Sequence, residues 1–209
     1  MDKRRFGRTG LDISLLGFGC GAVGGLMIKG TAADQERAVG RALELGINYF
    51  DTAQMYGNGE SERNLGRVLK SLKPDVYVGT KVRLPPTEPG KIGAAIAASL
   101  EASLARLQMD SVDLFQFHNA VVGTTEGANF ASATVLEEVV PAFELLRAQG
   151  KLRFFGITAN DGVVFVPALR VGIGGRWRRG RRARSGSLVK SAGRRGRRRA
   201  ECTQSGGWR

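Results

Sequence analysis

Cysteine is scarce in this chain: Cys20 and Cys202 are the two present. They lie far apart and form no ligand spacing, so neither a disulfide framework nor a zinc site is indicated. Both are expected to be free thiols, and no bound metal is expected. Histidine is scarcer still, with His118 alone, so one imidazole is all that the chain can bring to any chemistry. Long apolar runs are missing too. No stretch approaches the roughly 18 residues that cross a bilayer, and the charged start Met1-Asp2-Lys3-Arg4-Arg5 has no apolar segment behind it to make a secretory signal. The expectation is a cytoplasmic chain with no membrane partner.

Acidic residues are nearly absent from one part of the chain. Residues 161–209 hold 14 Lys and Arg against 2 Asp and Glu, whereas residues 1–160 hold 18 against 17. The formal charge of +13 therefore belongs almost wholly to the last quarter. There Arg, Gly and Ser dominate, as in Arg194-Arg195-Gly196-Arg197-Arg198-Arg199, and neither helical nor strand periodicity continues beyond Val171. Such a composition is expected to be disordered. Three readings stand for it: an arginine-rich binding segment, a solvated tail, and a change of reading frame. The last is favoured by the abruptness of the switch. A polybasic tail would bind nucleic acid only non-specifically, through phosphates and in a salt-dependent way.

The rest of the chain has material for a core, since 42% of all residues are hydrophobic and 24% charged. Short runs rich in β-branched and aromatic residues predict strands at 15–19, 47–51, 76–81, 112–118 and 154–158. Between them come helical patterns with apolar residues at i, i+3, i+4 and i+7. Val39, Ala42 and Leu43 mark one face, and Ile92, Ile96, Leu100, Leu104 and Leu107 a second. Leu136, Val139, Val140, Phe143 and Leu146 mark a third. A shorter helix is predicted over 60–72, with Leu65, Val68, Leu69 and Leu72 inward. Ahead of the first unit, the turn residues of Arg5 to Leu11 suggest a small hairpin.

Strands alternating with helices mean βαβ units and a parallel sheet, either doubly wound or closing as a (β/α)8 barrel. Asp51, Lys81, His118 and Thr158 end four successive strands. In a barrel all strand ends share one mouth, whereas an open sheet gathers its binding groups at a reversal of strand order. Polar ends on consecutive strands favour the barrel. Gly19-Cys20-Gly21-Ala22-Val23-Gly24 does fit the G-x-G-x-x-G dinucleotide fingerprint, with Asp51 as a ribose-binding acid. Its helix should begin within the motif, however, and here Gly25 to Gly30 intervene before Thr31 and Asp34 can start one.

From Asp51, Tyr56, Lys81 and His118 together a carbonyl-reducing site can be assembled. Tyrosine, with an ordinary pKa of about 10, is a poor proton source at neutral pH. A neighbouring ammonium stabilises the phenolate and eases proton transfer. A carboxylate holds the lysine in place, and a histidine beside the phenol can donate a hydrogen bond that polarises the carbonyl. Taken singly, Asp51 can cap a turn, Tyr56 can be a surface aromatic, Lys81 a solvated strand end and His118 a structural residue.

These residues resemble those of the aldo-keto reductase family. The likeness is carried by Arg8-Thr9-Gly10-Leu11 through Leu16-Gly17-Phe18-Gly19, by Gly46 to Tyr56, and by Lys81 and His118. The Gly59-Glu60-Ser61-Glu62 stretch resembles the bacterial aldose and galactose dehydrogenase branch. The resemblance spans about residues 1–160. It implies a domain over 1–160 followed by a basic tail over 161–209. It also implies Tyr56 as general acid/base, Lys81 as its partner, Asp51 as the lysine's anchor and His118 as the orienting group. The implied cofactor is NADPH or NADH, lying across the mouth against Asp51, Thr158 and Asn160, with a small carbonyl or sugar as substrate. Ala159 stands where the family usually has an asparagine. Three further βα units belong to the family pattern; Val163 to Val166 could supply a sixth strand by composition, but the aromatic that stacks on nicotinamide and the basic loop that binds the adenosine phosphate have no recognisable counterpart here. The expectations are therefore a partial barrel of about five units with a weakened cofactor site; the alternatives are a nucleic-acid-binding chain and a non-functional fragment.

Overall fold

The computed structural model describes residues 1–21 and 23–158; the expectations for Ala22, Asn160 and the basic segment 161–209 fall outside these residues. The chain opens with the expected hairpin, formed by β1 (Lys3–Arg5) and β2 (Asp12–Ser14) in antiparallel register. Five parallel strands then form one sheet: β3 (Phe18–Gly19), β4 (Tyr49–Asp51), β5 (Tyr77–Val82), β6 (Val112–Phe117) and β9 (Leu152–Ile157). Two short strands between β6 and β9, β7 (Val121–Val122) and β8 (Phe130–Ala131), pair with each other outside that sheet. The order of the five follows the chain without reversal. A doubly wound sheet must reverse its order to make a switch point, so this arrangement sets the dinucleotide-fold alternative aside. It is the wall of a (β/α)8 barrel, of which the described strands form an arc.

Helices α2 (Ala32–Glu44), α3 (Glu60–Leu72), α4 (Ile92–Leu107) and α6 (Val140–Ala148) make the connections, with single turns at α1 (Leu26–Lys29) and α5 (Ser132–Thr134). Thr31 opens α2 by accepting the backbone N–H of Asp34 at 3.2 Å. The core lies between helices and sheet. Phe50, Val78, Val82, Phe115 and Phe117 point outward into it, and Ile92, Ile96, Leu100, Leu104 and Leu107 of α4 are all buried there. Phe143 of α6 packs its ring 5.1 Å from Phe115 and 5.5 Å from Phe155. Because side chains alternate along a strand, Gly79 and Lys81 of β5 face the barrel interior, as do Tyr49 and Asp51 of β4.

Several expectations need correction. Leu15 and Leu16 are exposed rather than in a strand, and β3 is confined to Phe18 and Gly19. Asn48, just ahead of β4, accepts Ser14 N–H and donates to Asp12 C=O. The hairpin thus covers the end of the sheet opposite the polar strand ends. Leu72 is exposed, not inward. The third apolar face is carried by Val135, Val139, Phe143 and Leu146, with Leu136 and Val140 only half-buried. A π-helical turn runs over Val135–Val139 and widens the helix there; Val139, Phe143 and Leu146 keep their expected inward places while Val135 replaces Leu136.

Candidate active site

Asp51 closes β4, and the chain then runs through Thr52 and Ala53, both buried, into a turn that carries Tyr56. Tyr56 N–H donates to Ala53 C=O at 3.0 Å, and Thr52 N–H donates across the sheet to Gly79 C=O at 2.9 Å. Gly59 takes a left-handed backbone, φ 85°, ahead of α3, a conformation that glycine adopts at little cost. The turn closed between Ala53 and Tyr56 sets the phenol over the end of β5, where Lys81 is 5% exposed.

The Lys81 ammonium has three hydrogens and three acceptors. It donates to Asp51 Oδ2 at 2.6 Å, to Thr52 C=O at 2.8 Å and to Tyr56 Oη at 3.3 Å. The contact with Asp51 is a charge-assisted pair, and both neutral acceptors lie on the loop that follows it. The other carboxylate oxygen, Asp51 Oδ1, lies 3.5 Å from the hydroxyl of Tyr49. Tyr49 is inside the barrel, and burial, reinforced by the charge of Asp51, raises its phenol well above its ordinary range. It therefore stays a neutral donor. Cys20, at the end of β3, is buried beside the same charges; burial first, and then Asp51, push its thiol from 9.0 up to about 12 against the opposing pull of Lys81. It is a neutral structural thiol at physiological pH.

His118 follows β6. Its backbone N–H donates to Val82 C=O at 2.8 Å, next along the chain from Lys81, and its ring Nδ1 lies 2.9 Å from Thr158 C=O. A carbonyl oxygen can only accept, so Nδ1 carries the hydrogen. In a neutral ring Nε2 is then a lone pair, and the expected hydrogen bond from this ring to a carbonyl requires the imidazolium. Thr158 lies just past β9, and its carbonyl is engaged by His118. The structure thus joins Asp51, Tyr56 and Lys81 in one hydrogen-bonded cluster, and places His118 and Thr158 as a second pair on the next strands. Asn160 lies outside the described residues.

Three buried polar residues around this mouth are not among the site residues the sequence singles out. Asn119 accepts Leu84 N–H at 3.0 Å and donates to Leu84 C=O and Ala128 C=O, each at 2.8 Å. It ties the loop after β5 to the loop after β6. Ser61 and Glu62, at the start of α3, are 0% exposed. The sole sequence signal for them is the Gly59-Glu60-Ser61-Glu62 stretch, in which nothing marks a solvated helix start from a buried one. Among the described residues no group of three His, Cys, Asp or Glu side chains is placed to hold a metal ion, and no helix is long and apolar enough to cross a membrane.

Comparison with known proteins agrees with this geometry. Residues 15–165 match the Aldo/keto reductase family. L-galactose dehydrogenase of Arabidopsis thaliana is 34% identical over 161 residues, covering 76% of this chain and 48% of that protein. Methylglyoxal reductase YeaE of Escherichia coli is 33% identical over 154 residues, covering 72% and 48%. Among solved structures, an aldo/keto reductase from Klebsiella pneumoniae in complex with NADP and acetate superposes with a TM-score of 0.61 at 29% identity, covering 82% of this chain and 54% of that one. The chain spans about half the length of the curated relatives it matches.

Proposed function

We propose a function from one established premise, that the chain belongs to the aldo/keto reductase family: its site reduces the carbonyl of a small aldehyde or sugar with NADPH or NADH, and runs in reverse on the alcohol. The observation that carries this reading is the Lys81 ammonium, held by Asp51 and Thr52 and directed at the hydroxyl of Tyr56.

The residues present fit a nicotinamide. Gly19 of β3 and Gly156 of β9 occupy inward positions near the mouth, and a Cβ built on either meets none of the described residues within 4 Å. Asp51, Thr158 and Asn160 are the residues we assign to holding the cofactor. When bound, the nicotinamide supplies the hydride that goes to the carbonyl carbon. The chain supplies the proton: Tyr56 passes its hydroxyl hydrogen to the carbonyl oxygen as the C=O bond becomes an alcohol. The phenolate left behind already faces a positive charge. That charge does not have to reorient during the reaction, because two further hydrogen bonds fix it. His118 faces the same mouth as the orienting group: with Nδ1 donating to Thr158 C=O, its Nε2 donates to the substrate oxygen in the imidazolium form, while the hydrogen of the alcohol belongs to the exchange with Tyr56.

The names of two relatives, a galactose dehydrogenase and a methylglyoxal reductase, support sugar and small-aldehyde substrates. The same reading assigns residues 1–160 to the reductase domain and places the chain in the cytoplasm. The test is oxidation of NADPH by the purified chain in the presence of small aldehydes and aldoses, with Tyr56→Phe alongside. Turnover that survives the loss of the hydroxyl would overturn the assignment.

A further inference from the structure

Burying a polar side chain is costly unless its hydrogen bonds are met. Ser61 nevertheless lies deep beside the site. Its hydroxyl donates to Cys20 C=O at 2.8 Å and lies 2.9 Å from the hydroxyl of Thr52. A serine has one hydrogen, and Cys20 C=O can only accept it, so Thr52 is the donor in the second bond. The backbone N–H of Ser61 also donates to Tyr56 C=O at 3.2 Å. One residue therefore grips both ends of the loop 52–56, of which one end carries the carbonyl that receives Lys81 and the other carries the phenol. Ser61 is itself held. Its neighbour Glu62 accepts the hydroxyl of Thr80 at 2.6 Å and the guanidinium Nε of Arg106 at 2.6 Å, fastening the start of α3 to β5 and α4.

We propose that the Ser61 hydroxyl is a positioning group for the proton-transfer pair, keeping Thr52 and its carbonyl where the Lys81 ammonium needs them, while the backbone N–H, which any residue at this position except proline would supply, holds Tyr56 C=O. The catalytic consequence rests on the function proposed above; the geometric one does not. Without the Ser61 hydroxyl, the Thr52 side chain loses its acceptor, its carbonyl is free to tilt, and the ammonium is left with a poorer third partner.

The experiment uses Ser61→Ala and the isosteric Thr52→Val, which removes the other end of the same bond, singly and together. The first readout is independent of turnover: the 15N–1H signal of the Lys81 side-chain ammonium, assigned by its loss in Lys81→Met, whose survival reports slow exchange with water. Both single variants should broaden or abolish that signal while the backbone amide spectrum of α4 and β6 stays in place, and the double variant should add little. The second readout is kinetic: kcat should fall by on the order of 10²-fold with KM for the carbonyl nearly unchanged. An unchanged ammonium signal in folded Ser61→Ala and Thr52→Val overturns the proposal; if Ser61→Ala does not fold, Thr52→Val decides it. If the signal responds as expected but neither the parent nor the variants reduce any carbonyl, the positioning role stands and the reductase reading falls.

Discussion

Lys81 donates to the hydroxyl oxygen of Tyr56 at 3.3 Å, which turns the phenol's own hydrogen away from the ammonium and leaves it free for another acceptor. Tyr56→Phe keeps the ring and deletes that hydrogen. On the proposed function, carbonyl reduction is expected to fall roughly 10²- to 10⁴-fold, the usual worth of a positioned acid, with the unfolding midpoint hardly moved. Steady-state rates beside a urea melt check both halves. A variant as active as the parent would mean that another group supplies the proton.

Much of this site is legible in the amino-acid sequence. Each of the five apolar runs contributes a sheet strand, and α3 occupies Glu60–Leu72 as its periodicity indicates, because burial of one face sets both patterns. Asp51, Lys81 and His118 stand out because a polar residue closing an apolar strand is visible locally. Ser61 and Glu62 do not stand out, since what makes their burial tolerable lies far along the chain: Cys20, 41 residues from Ser61, and Arg106, 44 residues from Glu62. The hydrogen on Nδ1 of His118 is equally hidden, being set by a backbone carbonyl 40 residues away. Leu15 and Leu16 mislead in the opposite sense, because an apolar pair carries no mark of whether a neighbouring strand will cover it.

Gly79 is a glycine because of Tyr49. A Cβ there would lie 2.5 Å from the Tyr49 hydroxyl and 3.2 Å from its ring. Gly79→Ala is expected to cost about 1–3 kcal/mol, as overpacking of a filled interior does. Removing the hydroxyl with Tyr49→Phe should recover much of that in the double variant. Urea unfolding of the four proteins gives the coupling, and purely additive losses would show that the two residues do not contend for the same space.

Asp51→Asn tests the ion pair beneath the phenol. The substitution keeps the shape but leaves a nearly buried ammonium without its carboxylate. Stranding a charge in a fully buried pair costs about 3–5 kcal/mol. The Asp51 side chain is 32% exposed, so water screens part of this and a loss of about 1–3 kcal/mol is expected. Thermal or urea unfolding at neutral pH measures it. A variant as stable as the parent would mean that Thr52 and Tyr56 alone suffice to hold Lys81.

Alkaline pH should weaken the fold from the inside of the barrel. Burial raises the Cys20 thiol from 9.0 to about 12 and, with the help of Asp51, raises the Tyr49 phenol as well. Each group is neutral when protonated, and each holds its proton more tightly in the folded chain than in the unfolded one. Above its ordinary pKa the unfolded chain therefore binds fewer protons than the folded chain, and stability must fall as pH rises. The contribution of Cys20 is complete below about pH 9 and is lost progressively up to about pH 12, at roughly 1.4 kcal/mol per pH unit once the unfolded thiol is ionised. Tyr49 adds to the decline only at higher pH, since free tyrosine ionises near pH 10. Urea unfolding free energies compared between about pH 8 and about pH 10.5 should drop by on the order of 2 kcal/mol in the parent and by less in Cys20→Ala, which has no thiol to ionise. A parent whose stability is level across that interval would show that water reaches Cys20, and the packing described at the end of β3 would have to be looser than the structure shows.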